Sequence, residues 1–148
     1  TFGVVSQQTM LIRKRTIMEN LMVAGRASGL QRKSRVAAEK ALGLVGLPNV
    51  ADCYPAQLSI GEVRRVELAR AMISRPPVLL LDELTANLDD DTIWDTMHLL
   101  NELNSRGTTI IMATHASQFV NYMRRRVITL VDGKLFGDVK NGKYGDVV

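Results

Sequence analysis

The 148 residues include a single cysteine, Cys53, so no internal disulfide can form, and no second Cys or His stands near it at metal-ligand spacing. A reducing, cytoplasmic setting is the expectation. No apolar run exceeds a few residues, whereas a membrane-crossing helix needs about 20. No amino-terminal signal pattern is present, and Thr1 leads directly into strand-like Phe2-Gly3-Val4-Val5, as if the chain were entered in its middle. Charge of one sign does not accumulate: the net charge is +4, and the basic residues are dispersed over several segments. Such dispersion suits a solvated surface better than a nucleic-acid groove, and no nucleic-acid partner is expected. Coiled-coil heptads are missing as well. What remains is an ordinary globular composition, 46% hydrophobic and 23% charged, of a length that suits one domain.

The informative stretch runs from Leu58 to Asp89. Val78, Leu79, Leu80 and Leu81 form a continuous apolar run fenced by Pro76-Pro77, the pattern of a strand buried on both faces of a parallel sheet. Asp82 and Glu83 follow at once, at the strand end where open α/β sheets place their ligands. An Asp there can hold magnesium through its waters, and the next acid can position or deprotonate an attacking water. Alone, the pair could equally open a polar loop. Upstream, Ser59 and Glu62 have capping-box spacing and start a helix that runs to Ser74. Its free N–H groups and dipole also favour a phosphate.

The order of these features resembles an ATP-binding cassette (ABC) ATPase. Gln7 matches the Q-loop glutamine, Leu58 to Glu62 the LSxGE signature, Val78 to Asp82 Walker B, Glu83 the following catalytic acid, Asn87-Leu88-Asp89 the D-loop and His115 the switch histidine. The resemblance implies an α/β P-loop NTPase fold, a parallel core sheet with a helical signature subdomain. It implies ATP and Mg2+ as cofactors, a second copy of the domain as partner, and a transmembrane protein driven from the cytoplasmic face of the membrane. Gln7 and Asp82 would touch the metal, while Glu83, His115 and Gln7 serve hydrolysis. Ser59, Gly61, Glu62 and Asp89 would face nucleotide, with the signature acting on ATP held by the opposite subunit. The stretches MATH (Met112 to His115), NYMRRRVITLVDGKLFGDV (Asn121 to Val139) and NGKYGDV narrow the resemblance to the cell-division branch of the family. Lipoprotein-release and macrolide-export ATPases are the neighbouring branches.

Two positions depart from the pattern: Ile60 replaces the first glycine of the signature pair, and Leu84 the proline after the catalytic acid. The loop G-x-x-x-x-G-K-[ST], whose backbone and lysine cradle phosphates, does not occur in the 148 residues. The expectation is therefore a partial cassette, its carboxyl-terminal two-thirds: residues 1–8 the Q-loop strand and loop, 9–75 the helical subdomain, 76–137 the Walker B, D-loop and H-loop core, and 138–148 a tail. Such a piece by itself is expected to be inactive and, with unpaired strand edges, aggregation-prone. The alternative is a non-catalytic interaction module that keeps the partner-binding helices; Asp82, Glu83 and His115 argue against it. A nucleic-acid-repair cassette is weaker still.

Supporting elements are legible around this stretch. Thr16 and Glu19 repeat the capping-box spacing ahead of a helix to Ala27. Ser34 to Val45 reads as a second helix closed by Gly46, with Val36, Ala37, Leu42 and Val45 inward. Arg13-Lys14-Arg15 and Arg32-Lys33 decorate this region. A helix from Asp90 to Arg106 ends at Gly107; His98 within it is given no role. Thr108 to Thr114 reads as a second buried strand. Asp132-Gly133 marks a type I′ hairpin, followed by a mobile tail from Gly137.

Overall fold

The computed structural model describes residues 2–148, and Thr1, the first residue of the Q-loop span, lies outside them. The chain divides into two units, one up to Ala113 and one from Thr114 to Val148. In the first, β1 (Phe2–Val5) leads to the helices α1 (Ile17–Ala27), α2 (Ser34–Leu44) and α3 (Ile60–Met72), then β2 (Val78–Asp82), α4 (Asp90–Ser105) and β3 (Thr109–Ala113). The strands form one parallel sheet in the order β1-β2-β3, with Val5 opposite Leu81 and Asp82 opposite Ala113. Parallel neighbours need crossover connections, which here carry the helices.

Local chemistry accounts for the helix boundaries. Thr16 caps α1 in a full capping box with Glu19, and Ser59 does the same for α3 with Glu62. Asp89 caps α4 by accepting from Thr92 N–H at 2.7 Å. The expected inward face of α2 is corrected. Val36 is exposed and Ala37 only partly covered, whereas Ser34, Ala38, Ala41, Leu42 and Val45 are buried. The α1 and α2 axes come close because α1 presents Gly25, where a Cβ would lie 3.0 Å from the Ser34 Cβ.

The sheet is covered on one face only, which corrects the expectation of strands buried on both. Leu79 and Leu81 are buried while Val78 and Leu80 are half-covered, and β3 alternates between exposed and half-covered residues. Period-two alternation puts Phe2, Val4 and Ile111 on the open face, where they are 64%, 54% and 58% exposed. β3 is an edge strand, and its apolar residues therefore lack the second neighbour that full burial requires.

In the second unit α5 (Ser117–Met123) precedes β4 (Val127–Val131) and β5 (Lys134–Val139), which pair antiparallel. Asp132 and Gly133 both have positive φ, 49° and 73°, as a type I′ turn demands. The segment after β5 is laid down rather than loose. Thr129 Oγ1 donates to Asp146 O at 2.8 Å, Lys143 N–H to Asp146 Oδ2 at 2.6 Å and Tyr144 N–H to Asn121 Oδ1 at 2.7 Å. Its glycines and lysines hid these anchors from the sequence.

An exposed, partly apolar edge beside an open apolar face templates association. The 148-residue chain is expected to self-associate on sizing, and Ile111→Lys to raise its monomeric fraction by charging that edge. A soluble wild-type monomer with a cooperative thermal melt contradicts this.

Candidate active site

Two functional segments leave the carboxyl-terminal end of the first unit's sheet. β1 ends at Val5 and β2 at Asp82 in parallel register, so the loop of Gln7 and the pair Asp82-Glu83 emerge at the same end of adjacent strands, about 4.8 Å apart in such a sheet. The Asp82 carboxylate and the Gln7 amide are both exposed there. Glu83 is half-buried, its N–H donates to Ala113 O at 3.0 Å, and its φ is 50°. Left-handed backbone at a residue other than glycine costs roughly 1–3 kcal/mol and persists only where surroundings dictate it. Here the ladder bond to Ala113 precedes it, and a turn closed by Ala86 N–H to Glu83 O at 3.1 Å follows. Leu84 stands in this turn where the family pattern has proline. It is 1% exposed, and its burial holds the turn in place.

The signature is a helix start. Ser59 Oγ accepts from Glu62 N–H at 3.1 Å, and Glu62 Oε1 accepts from Ser59 N–H at 3.0 Å. The cap uses the hydroxyl oxygen as acceptor, and the Ser59 side chain also hydrogen-bonds the Glu62 carboxyl. Ile60 is the first residue of α3 and is absent from the positive-φ residues, so the β-branched side chain sits in ordinary helical backbone and points out, 58% exposed. The question left open by the sequence is thereby settled in favour of tolerance. Gly61 has a further reason to be glycine: a Cβ there would lie 2.6 Å from Thr92 Cγ2. Thr92 also donates to Asp89, so the signature and the D-loop cap meet through this one threonine.

The sequence reading missed the groups that fix the Q-loop. Arg64 and Glu67 of α3 are 8% and 1% exposed and paired at 3.1 Å. Arg64 donates to Ser6 O at 3.0 Å and to Gln7 O, and Glu67 Oε1 accepts from Met10 N–H at 3.0 Å. Arg70 adds a bond to Met10 O at 2.8 Å. The buried side chain of Asn20 similarly pins the next stretch, accepting from Ile12 N–H at 2.7 Å and donating to Thr16 O at 2.9 Å. The signal for Arg64 and Glu67 was an i, i+3 pair of opposite charge on an otherwise apolar helix face.

His115 belongs to the second unit. It is exposed, and its Nδ1 lies 3.2 Å from Tyr144 Oη, a partner supplied by the tail. His98 stands beside Trp94, ring centroids 6.4 Å apart, and meets none of these residues. No group of three or more His, Cys, Asp or Glu gathers as a metal cage among the described residues. One exposed carboxylate with an amide nearby suits magnesium nonetheless, since that ion keeps most of its waters and takes one or two carboxylates.

With this arrangement in view, the comparisons with known proteins bear on the chain directly. Residues 1–86 match the family model described as ABC transporter. The chain belongs to the ATP-binding cassette family. It is 43% identical over 144 residues to the cell division ATP-binding protein FtsE of Streptococcus pneumoniae, covering 97% of this chain and 63% of that protein. Against FtsE of Bacillus subtilis the identity is 44% over 146 residues, again 97% and 63%. Among solved structures, a dimeric post-hydrolysis ATP-binding cassette bound to ADP and Pi superimposes with TM-score 0.79 at 31% identity, over 97% of this chain and 64% of that one. A cassette of Clostridium perfringens, part of an ABC transporter complex, gives TM-score 0.83 at 27% identity, over 95% and 57%. The fold is thus that of the P-loop NTPase cassettes, and the chain spans somewhat less than two-thirds of the curated relatives it matches.

Hydrogen bonding from the Ser59 N–H, and then from the Ser59 hydroxyl, holds the Glu62 carboxyl below its ordinary value. A depressed folded pKa means stability that is present above the unfolded value, about 4.3, and lost as pH falls through the folded one. Order at the start of α3, followed by amide NMR shifts of Glu62 and Val63, is expected to fall away below about pH 4. In Glu62→Gln this acid-side change should vanish; its persistence would assign it to another group.

Proposed function

We propose that this chain carries the catalytic, signature and sensor parts of an ATP-hydrolysing cassette subunit, FtsE-like in its role, that works as a dimer on a transmembrane partner of the FtsX type. The observation that carries this reading is the delivery of Asp82 and Glu83 by β2 to the same sheet end as the Gln7 loop, with Glu83 held in left-handed backbone by bonds on both sides. Asp82, with Gln7, would hold magnesium, which supplies charge neutralisation on the phosphates. Glu83 takes or orients the proton of the attacking water, and its half-buried position favours that work over a fully solvated one.

The signature works in trans. Ser59 and the early amides of α3 address the terminal phosphate of nucleotide on the opposite subunit. Asp89 stands one turn ahead of Thr92, which touches Gly61, so closure of the dimer brings D-loop and signature to the partner together. His115, whose Nδ1 meets Tyr144, senses the terminal phosphate of the nucleotide on its own subunit. The 148 residues hold no G-x-x-x-x-G-K-[ST] phosphate cradle, and on this reading they do not turn over ATP by themselves. The supporting observations are the matches to FtsE proteins and to a dimeric cassette bound to ADP and Pi. The absence of any helix long and apolar enough to cross a membrane among the described residues fits a subunit that reaches the membrane through its partner.

In the complete dimer, Glu83→Gln is expected to lower ATP turnover by roughly 100-fold or more while ATP-dependent dimer closure persists. Phosphate release and sizing read the two separately. Undiminished turnover would remove Glu83 from its role.

A further inference from the structure

Arg64, Glu67 and Arg70 lie on one face of α3 at successive helical turns and all reach the loop Ser6 to Met10. The geometry is more specific than a stabilising ion pair. A guanidinium is a planar fork, and Arg64 spends that fork on two consecutive carbonyls, those of Ser6 and Gln7. Fixing two successive carbonyls fixes the peptide planes on either side of the Gln7 Cα, and with them the direction in which the Gln7 side chain leaves the backbone. Glu67 orients the fork through Oε2 and holds the far end of the same loop, Met10 N–H, through Oε1. Both charges are nearly inaccessible to solvent, so neither can trade its partner for water without a large desolvation cost.

We infer that Arg64, oriented by Glu67, is a positioning residue for Gln7: its fork sets the direction in which the Gln7 amide leaves the loop. On the proposed hydrolytic reading, on which its functional half rests, loss of the fork misplaces that amide relative to the metal and the attacking water.

The test uses Arg64→Lys in the complete protein, because lysine keeps the charge opposite Glu67 and removes the fork. Hydrogen exchange of the Met10 amide, the loop N–H that Glu67 holds, is expected to quicken about tenfold while α1 keeps its protection. ATP turnover should fall roughly 10-fold to 100-fold in kcat with little change in KM. In a Gln7→Ala background the same substitution should cost less than about twofold, since two residues acting through one position are not additive. Unchanged loop exchange, or independent multiplicative losses at the two positions, would overturn the inference. Turnover that ignores Glu83→Gln would sink the hydrolytic reading, and loop exchange would then decide the clamp by itself. If Arg64→Lys does not fold, Arg70→Gln removes only the exposed bond to Met10 and should give a smaller change of the same kind; no change there overturns the clamp.

Discussion

The buried pair of Arg64 and Glu67 is the constraint on which the first unit's functional geometry depends. Two opposite charges removed from water are tolerated only when every lone pair and donor is answered. Here the answers come from backbone groups of the segment that follows β1, at sequence separations of 57 and 58 residues. That requirement draws the loop after β1 against the middle of α3 and leaves Gln7 outward, while the capping box at Ser59 fixes the start of the same helix. Among the described residues no fully buried side-chain nitrogen or oxygen lacks a partner, so the charges are accommodated without an orphan.

A second constraint is the one-sided sheet. Leu79 and Leu81 of β2 are buried, while Phe2 and Val4 of β1 and Ile111 of β3 face outward. The apolar character of Val78 to Leu81 suits a sheet covered on both faces, and the structure covers one. On the proposed reading the other face is completed by the part of the cassette that the longer relatives carry. The same logic explains why Leu84, standing in for proline, is satisfactory: it contributes burial where proline would contribute a fixed angle.

Much of this was legible in the sequence because its signals are local. Capping boxes at Thr16 and Ser59, the apolar run after two prolines, and Asp132-Gly133 each act within a few residues, and each forms as expected. The family motifs located Asp82, Glu83, Gln7, Ser59, Gly61, Glu62, Asp89 and His115 as candidates. What escaped is long-range or depends on backbone acceptors. A carbonyl at Ser6 leaves no mark on the identity of Arg64, so the clamp could not be read ahead of the fold. Val36 was placed inward by its side chain alone, yet α2 buries the small residues Ser34, Ala38 and Ala41, because the approach of α1 through Gly25 leaves little room there. The contact of Gly61 with Thr92 was hidden behind a functional reason for glycine that was already sufficient.

The most direct measurement is a double-mutant cycle at Arg64 and Glu67, read by denaturant unfolding of the complete protein. Each single truncation strands a buried charge and should cost about 3–5 kcal/mol. Replacing both with apolar residues, Arg64→Met with Glu67→Leu, should recover much of that loss. The account predicts strong non-additivity; single losses below about 1 kcal/mol that simply add, as an exposed pair would give, would contradict it.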